Sequence, residues 1–232
     1  MKYQDVVKEI SKFKSPAKAK TSQWFFKTKK GQYGYGDIFV GLTVPEMHKV
    51  SKMFTDIAIS EVQRLLNSKI HEERFVGLTI MDLKFSKGDA KVKKNIIDLY
   101  LKNTKNVNNW DLVDTSAYSM LGAYLLDKKR DVLYKFSKSK SLWERRIAIV
   151  STYTFIKNGE YKDTLDISKN LLDDKEDLIH KAVGWMLREV GKKNKKVLQD
   201  FLIKNINNLP RTTLRYAIER FPVLERKKFL NM

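Results

Sequence analysis

Apolar residues return at the spacing of a helix, i, i+3, i+4 and i+7, along nearly all of this chain of 232 residues, and no convincing run of alternating apolar and polar residues marks a strand. A chain patterned in this way buries its apolar stripes helix against helix. Prolines stand where helices begin, at Ser15-Pro16, Val44-Pro45 and Leu209-Pro210, because a first-turn N–H has no partner inside the helix. The stretch Gly31-Gln32-Tyr33-Gly34-Tyr35-Gly36-Asp37 reads as a loop, flexible or touching a ligand. Its glycines run G-x-x-G-x-G after no strand, which is not the order of a dinucleotide-binding turn.

A longer regularity lies on top of the helical one. A basic residue followed by apolar and small or branched residues recurs as Arg74-Phe75-Val76-Gly77, Arg146-Ile147-Ala148-Ile149, Lys181-Ala182-Val183-Gly184 and Arg215-Tyr216-Ala217-Ile218, with intervals of 72, 35 and 34 residues. Arginine before an apolar pair is common in ordinary helices, so chance is one reading. The other is a helix-pair repeat of about 35 to 40 residues, as in HEAT-like or TPR-like solenoids. On that reading the fold is all-α, a right-handed, C-shaped solenoid of about six helix pairs that forms a single domain over residues 1–232. Basic residues at equivalent places then line its concave face.

Charge points the same way. With 46 Lys and Arg against 27 Asp and Glu, the net charge is +19, which attracts a polyanion. A phosphate backbone is the first candidate. An anionic membrane surface is the second, and it calls for an exposed apolar helix face that the pattern does not supply. Arg74, Arg145, Arg146, Lys181, Arg188, Arg211 and Arg215 are the candidate phosphate contacts. The run Lys192-Lys193-Asn194-Lys195-Lys196 reads as a solvated inter-helix turn, with phosphate contact as the alternative.

Other chemistry is narrowed by composition. The chain has no cysteine, so thiol nucleophiles, disulfides and cysteine metal sites are excluded; His48, His71 and His180 are too far apart for a local metal pair. No metal and no cofactor are expected. The first residues alternate charge with apolar side chains, unlike a secretory signal, and no apolar run reaches the length of a membrane span. A cytoplasmic monomer is the expectation, its trough left open for a duplex.

The repeat missing between Arg74 and Arg146 falls at Trp110, which with Asp114 forms an i,i+4 pair on one helix face. The plain reading is an exposed carboxylate next to a core tryptophan. The alternative is a functional acid in a basic trough. Trp185 follows Lys181 by four and precedes Arg188 by three, so an indole and two cations share a face there. Asp111 reads as a first-turn acid favoured by the helix dipole, Asn108 or Asn109 as the N-cap, and Trp24 and Trp143 as core residues.

Trp110-Asp111-Leu112-Val113-Asp114, Trp143-Glu144-Arg145-Arg146-Ile147-Ala148-Ile149 and Lys181-Ala182-Val183-Gly184-Trp185-Met186-Leu187-Arg188-Glu189, in this order, resemble the AlkD-type DNA glycosylases of alkylation repair. The resemblance covers most of the chain. It implies a HEAT-like solenoid that holds duplex DNA and excises positively charged alkylpurines, chiefly 3-methyladenine and 7-methylguanine, without flipping the base into a pocket. It also implies Asp114 as the catalytic carboxylate, Trp110 and Trp185 as aromatic walls against the sugar and backbone, and Arg146 as a backbone contact. The competing function is a non-catalytic HEAT-like nucleic-acid-binding or scaffold protein, since a solenoid alone does not specify chemistry.

Overall fold

The computed structural model describes residues 1–232 and consists of helices joined by turns; a single isolated bridge, Ile38 to Ile70, is its only β pairing. The chain divides into two compact units, Met1–Ser116 and Ala117–Met232.

In the first unit α1 (Tyr3–Ser11), α2 (Pro16–Phe25), α3 (Val44–Met53), α4 (Ile59–Leu66), α5 (His71–Lys87), α6 (Ala90–Lys102) and α7 (Trp110–Ser116) follow in order. Their starts have local causes. Ser15 caps α2 by accepting from the Lys18 N–H, with Pro16 in the first turn, and Thr43 opens α3 in a capping box whose Glu46 carboxylate accepts the Thr43 N–H at 2.7 Å. The centre is α5, on which α3, α4, α6 and α7 pack, and its residues from His71 to Leu78 are all buried. Val50, Val62, Leu65, Leu66, Val76, Ile80, Met81 and Ile96 are fully shut off from water around it. Side chains of this size each contribute about 1.5–3 kcal/mol by burial.

Helix α2 behaves differently. It buries none of its residues, and it turns Ala17, Thr21 and Phe25, four apart, toward a cavity. That spacing leaves Trp24 on the solvent side, 76% exposed, so the expectation that it packs in the core is overturned.

The second unit begins with a wide, π-type turn over Ala117–Gly122 and continues through α8 (Asp131–Phe136), α9 (Leu142–Ser151), α10 (Tyr153–Lys157), α11 (Lys162–Asn170), α12 (Asp177–Lys193), α13 (Lys195–Asn205), α14 (Arg211–Ala217) and α15 (Val223–Leu230). Here α12 is central, with α9, α10, α11, α13 and α14 against it. Its Gly184 lets α14 come close: a Cβ would lie 2.5 Å from Tyr216 Cβ and 2.7 Å from the Thr213 carbonyl oxygen. Trp143, at the start of α9, is half-buried rather than enclosed. Lys192 to Lys196 form an exposed turn, as expected, where Asn194 caps α13 by accepting from the Val197 N–H at 3.2 Å.

Within each unit, helices pack on near neighbours in the chain, the progression of an all-α solenoid. No helix is long and apolar enough to cross a membrane.

Candidate active site

Trp110 and Asp114 share a face of α7, and both line a cavity of about 680 Å³ in the first unit. The other walls come from α2, α3, α5 and the segment between α2 and α3, with Phe25, Phe26, Phe39, Leu42, Met47 and Phe75 supplying most of the surface. Phe26 stacks on the Trp110 indole with centroids 5.3 Å apart, and Phe25 meets it edge-on at 5.9 Å. Asp114 is half-buried at the cavity wall. Behind it the Tyr100 hydroxyl bonds to Ser116 at 3.1 Å; burial first, and then the Asp114 charge, push that phenol well above its ordinary range.

The entry to α7 is held from below. Asn109 is fully buried, its carbonyl accepts the Val113 N–H at 3.1 Å, and its side-chain oxygen accepts the Trp110 N–H at 2.9 Å, so Asn109 is the N-cap residue. Its side-chain amide donates to Asp37 at 3.1 Å, and that of Asn108 donates to the same carboxylate at 3.3 Å.

Asp37 closes a buried cluster. It accepts from Arg74 Nη2 at 2.6 Å and from His71 Nδ1 at 3.1 Å, while His71 Nε2 lies 2.8 Å from Asp111 Oδ2. Burial would raise the Asp37 carboxyl, but the His71 hydrogen bond and the Arg74 charge outweigh it and hold the group below the usual carboxylate range. The ring shows the converse. Burial favours neutral His71, yet Asp111 and Asp37 together raise it to about 9. Asp111 is therefore in the first turn as expected, but its carboxylate serves as a partner to histidine rather than as a solvated dipole acid. Glu72, also buried, gathers the N–H groups of Val40, Gly41 and Leu42 at 3.0, 2.7 and 3.3 Å and fixes the segment that carries Phe39.

In the second unit Trp185 ends a row of rings. Its centroid lies 6.1 Å from that of Tyr153, which meets Tyr118 edge-on at 5.3 Å, and Lys157 reaches over both tyrosines. Tyr118 stands in the π-type turn, a local widening that often marks functional positions.

The whole arrangement has relatives. Residues 6–221 match the family described as DNA alkylation repair enzyme. The chain belongs to that family. Among solved structures, a predicted DNA alkylation repair enzyme from Enterococcus faecalis superposes with a TM-score of 0.72 at 16% identity, over 90% of this chain and 97% of the other. At that identity the likeness speaks for the fold. No curated protein matches.

For a member of a DNA repair family, the seven candidate phosphate contacts are placed unequally. Arg211 and Arg215 are exposed along α14. Lys181 is partly exposed and pairs with Asp177 at 2.8 Å, one turn back. Arg188 pairs with Glu219, and Arg145 forms a two-pronged pair with Asp174 at 2.5 and 3.2 Å. Arg146 is buried and donates to the Leu178 carbonyl at 2.5 Å. Arg74 differs most from the expected surface cation. At 3% exposure, with its guanidinium given to Asp37 and to the Ser68 carbonyl at 2.9 Å, it presents nothing to a phosphate and orders the buried cluster instead. No group of three or more His, Asp and Glu side chains is placed to hold a metal ion.

Proposed function

We propose that this family member is an alkylpurine DNA N-glycosylase, hydrolysing the bond between deoxyribose and a positively charged purine such as 3-methyladenine or 7-methylguanine. The observation that carries the reading is the Trp110–Asp114 pair, an indole and a carboxylate at one wall of an aromatic cavity in a chain of net charge +19. Alkylation at N3 or N7 makes the base a cation, so it departs neutral and needs no proton from the protein. As the bond stretches, the charge moves to the sugar. A fixed carboxylate stabilises that oxocarbenium-like state more than the ground state, which is the condition for acceleration.

Unit charges about 4 Å apart at an effective dielectric near 20 attract by roughly 4 kcal/mol. At about 1.4 kcal/mol per tenfold, the ceiling on what one aspartate supplies is about a thousandfold. The proposed roles are Asp114 as the anion that faces the sugar and orients the attacking water, Trp110 and Trp185 as aromatic walls, and the exposed cations Arg211, Arg215 and Lys181 as backbone contacts, with Arg145 and Arg188 held by Asp174 and Glu219 as further contacts and the buried Arg146 ordering the chain at Leu178. Excision proceeds without flipping the base into a pocket. The reading takes residues 1–232 as one basic, DNA-holding domain of about six helix pairs, acting as a cytoplasmic monomer on duplex DNA with neither metal nor cofactor.

One contact favours a second reading, a non-catalytic HEAT-like nucleic-acid-binding or scaffold protein: Phe26 already stacks on Trp110, as it would if the indole served packing alone. The two readings part in one assay. Incubation with duplex DNA methylated at N7 of guanine yields free 7-methylguanine and abasic sites on the glycosylase reading. Retention of the duplex with every methylated base still attached would leave only the scaffold.

A further inference from the structure

We infer that His71, as an imidazolium, is a positioning residue for the Trp110–Asp114 face of α7. The inference draws on the glycosylase reading for one of its consequences only.

The geometry asks for a doubly protonated ring. Both nitrogens of His71 face carboxylate oxygens, Asp37 on one side and Asp111 on the other, and the side chain is 1% exposed. A neutral imidazole has one N–H and one lone pair, so it would turn the lone pair toward one of the two carboxylates; the imidazolium donates to both. Charge leads to the same answer. The charged groups that act most strongly on the ring are Asp37 from the segment before α3, Asp111 from α7 and Arg74 from α5, while the carboxylate of the neighbouring buried Glu72 is taken up by the Val40, Gly41 and Leu42 N–H groups. Two cations balance two anions when the ring is protonated, and its deprotonation leaves a buried net negative charge.

What the cluster holds is the start of α7. Asn108 and Asn109 donate to Asp37, and Asp111 accepts the His71 Nε2–H on one oxygen while its other oxygen accepts the Leu112 N–H at 2.9 Å. Trp110 is thus flanked on both sides by residues tied to the cluster, and Asp114 follows one turn later. The first N–H groups of a helix have no partners inside it, so contacts from outside set its first turn. The ring packing adds a second link: His71 stacks on Phe39 at 4.4 Å and meets Phe26 at 5.2 Å, and Phe26 stacks on Trp110. Loss of the imidazolium releases the turn that aims both functional side chains without removing a group that touches DNA.

The test uses the full-length protein and its three histidines, His48, His71 and His180, whose ring signals are separated by comparison with His71→Gln in an NMR titration. The expected result is a His71 midpoint near 9, with the Trp110 indole N–H signal moving at the same midpoint, and a downward shift of that midpoint by about a unit or more in Asp111→Asn. In single-turnover release of base from methylated duplex, His71→Gln is expected to lose about tenfold in rate while its DNA affinity stays within about twofold. A His71 midpoint near 6.5, or a Trp110 signal that ignores the titration, overturns the inference. Full-rate release by a folded His71→Gln does the same, and if that variant does not fold, Asp111→Asn carries the rate comparison. If the wild type releases no base, the glycosylase reading fails, and the two NMR signals still decide whether His71 positions α7.

Discussion

The buried imidazolium makes folding stability depend on pH in a definite direction. His71 is raised from 6.5 to about 9 in the folded chain. Between those values the folded protein keeps a proton that the unfolded chain has released, so stability falls as pH rises through the window. Below it both states are protonated and the contribution is fully present; above it neither is, and the contribution is gone. At 1.36 kcal/mol per unit, the interval amounts to about 3 kcal/mol. Because the ring is almost entirely buried between Asp37 and Asp111, little of this is screened by solvent. Urea unfolding of the wild type and of His71→Gln at steps from pH 6 to pH 10 isolates the effect. Lysines and tyrosines titrate in both proteins and cancel in the difference. The wild type is expected to hold an advantage near pH 6 that shrinks by about 3 kcal/mol by pH 10. A constant difference across the range would refute the placement of a charged histidine in this cluster.

Further predictions concern the cavity, the second aromatic wall and the cations. Thr21→Trp inserts an indole from α2 into the cavity; if the base stays out of it, 7-methylguanine release changes by less than about twofold, whereas a loss of about tenfold, roughly 1.4 kcal/mol, would mean that the base enters. Trp185→Ala is expected to slow release by about tenfold or less, the scale of one cation–π contact, and unchanged excision would demote the Trp185–Tyr153–Tyr118 row to packing. Replacing Arg211 and Arg215 together by Ala is expected to reduce the slope of log affinity against log salt by about 0.9 for each lost phosphate contact, and an unaltered slope would take α14 out of the interface.

Helical spacing made α7 readable in advance: Trp110 and Asp114 four apart, with asparagines before them, specify a capped helix and put the two side chains on one face of it. The same reasoning failed for Trp24, because apolar character argues for burial only when a neighbour is there to cover it, and α2 faces a cavity. Arg74 and His71 were harder still. Their partners Asp37 and Asp111 are 34 to 40 residues away in the chain, and no local period reports such a pairing. One signal was available. Phe75 to Met81 is apolar on nearly every side, the mark of a helix surrounded by others, and the four titratable residues at its head, His71, Glu72, Glu73 and Arg74, had to be buried with it. Buried charges at a helix start require partners, and Asp37, at the end of the glycine-bearing loop, is one of them.

On the glycosylase reading, the carboxylate of Asp114 acts in the chemical step. Single-turnover release of 7-methylguanine from saturated duplex, compared between the wild type and Asp114→Asn, measures that directly, since asparagine keeps the shape and removes the charge. The expected result is a fall in rate of up to about a thousandfold with DNA affinity nearly unchanged. An Asp114→Asn protein that releases the base at the wild-type rate would contradict the account.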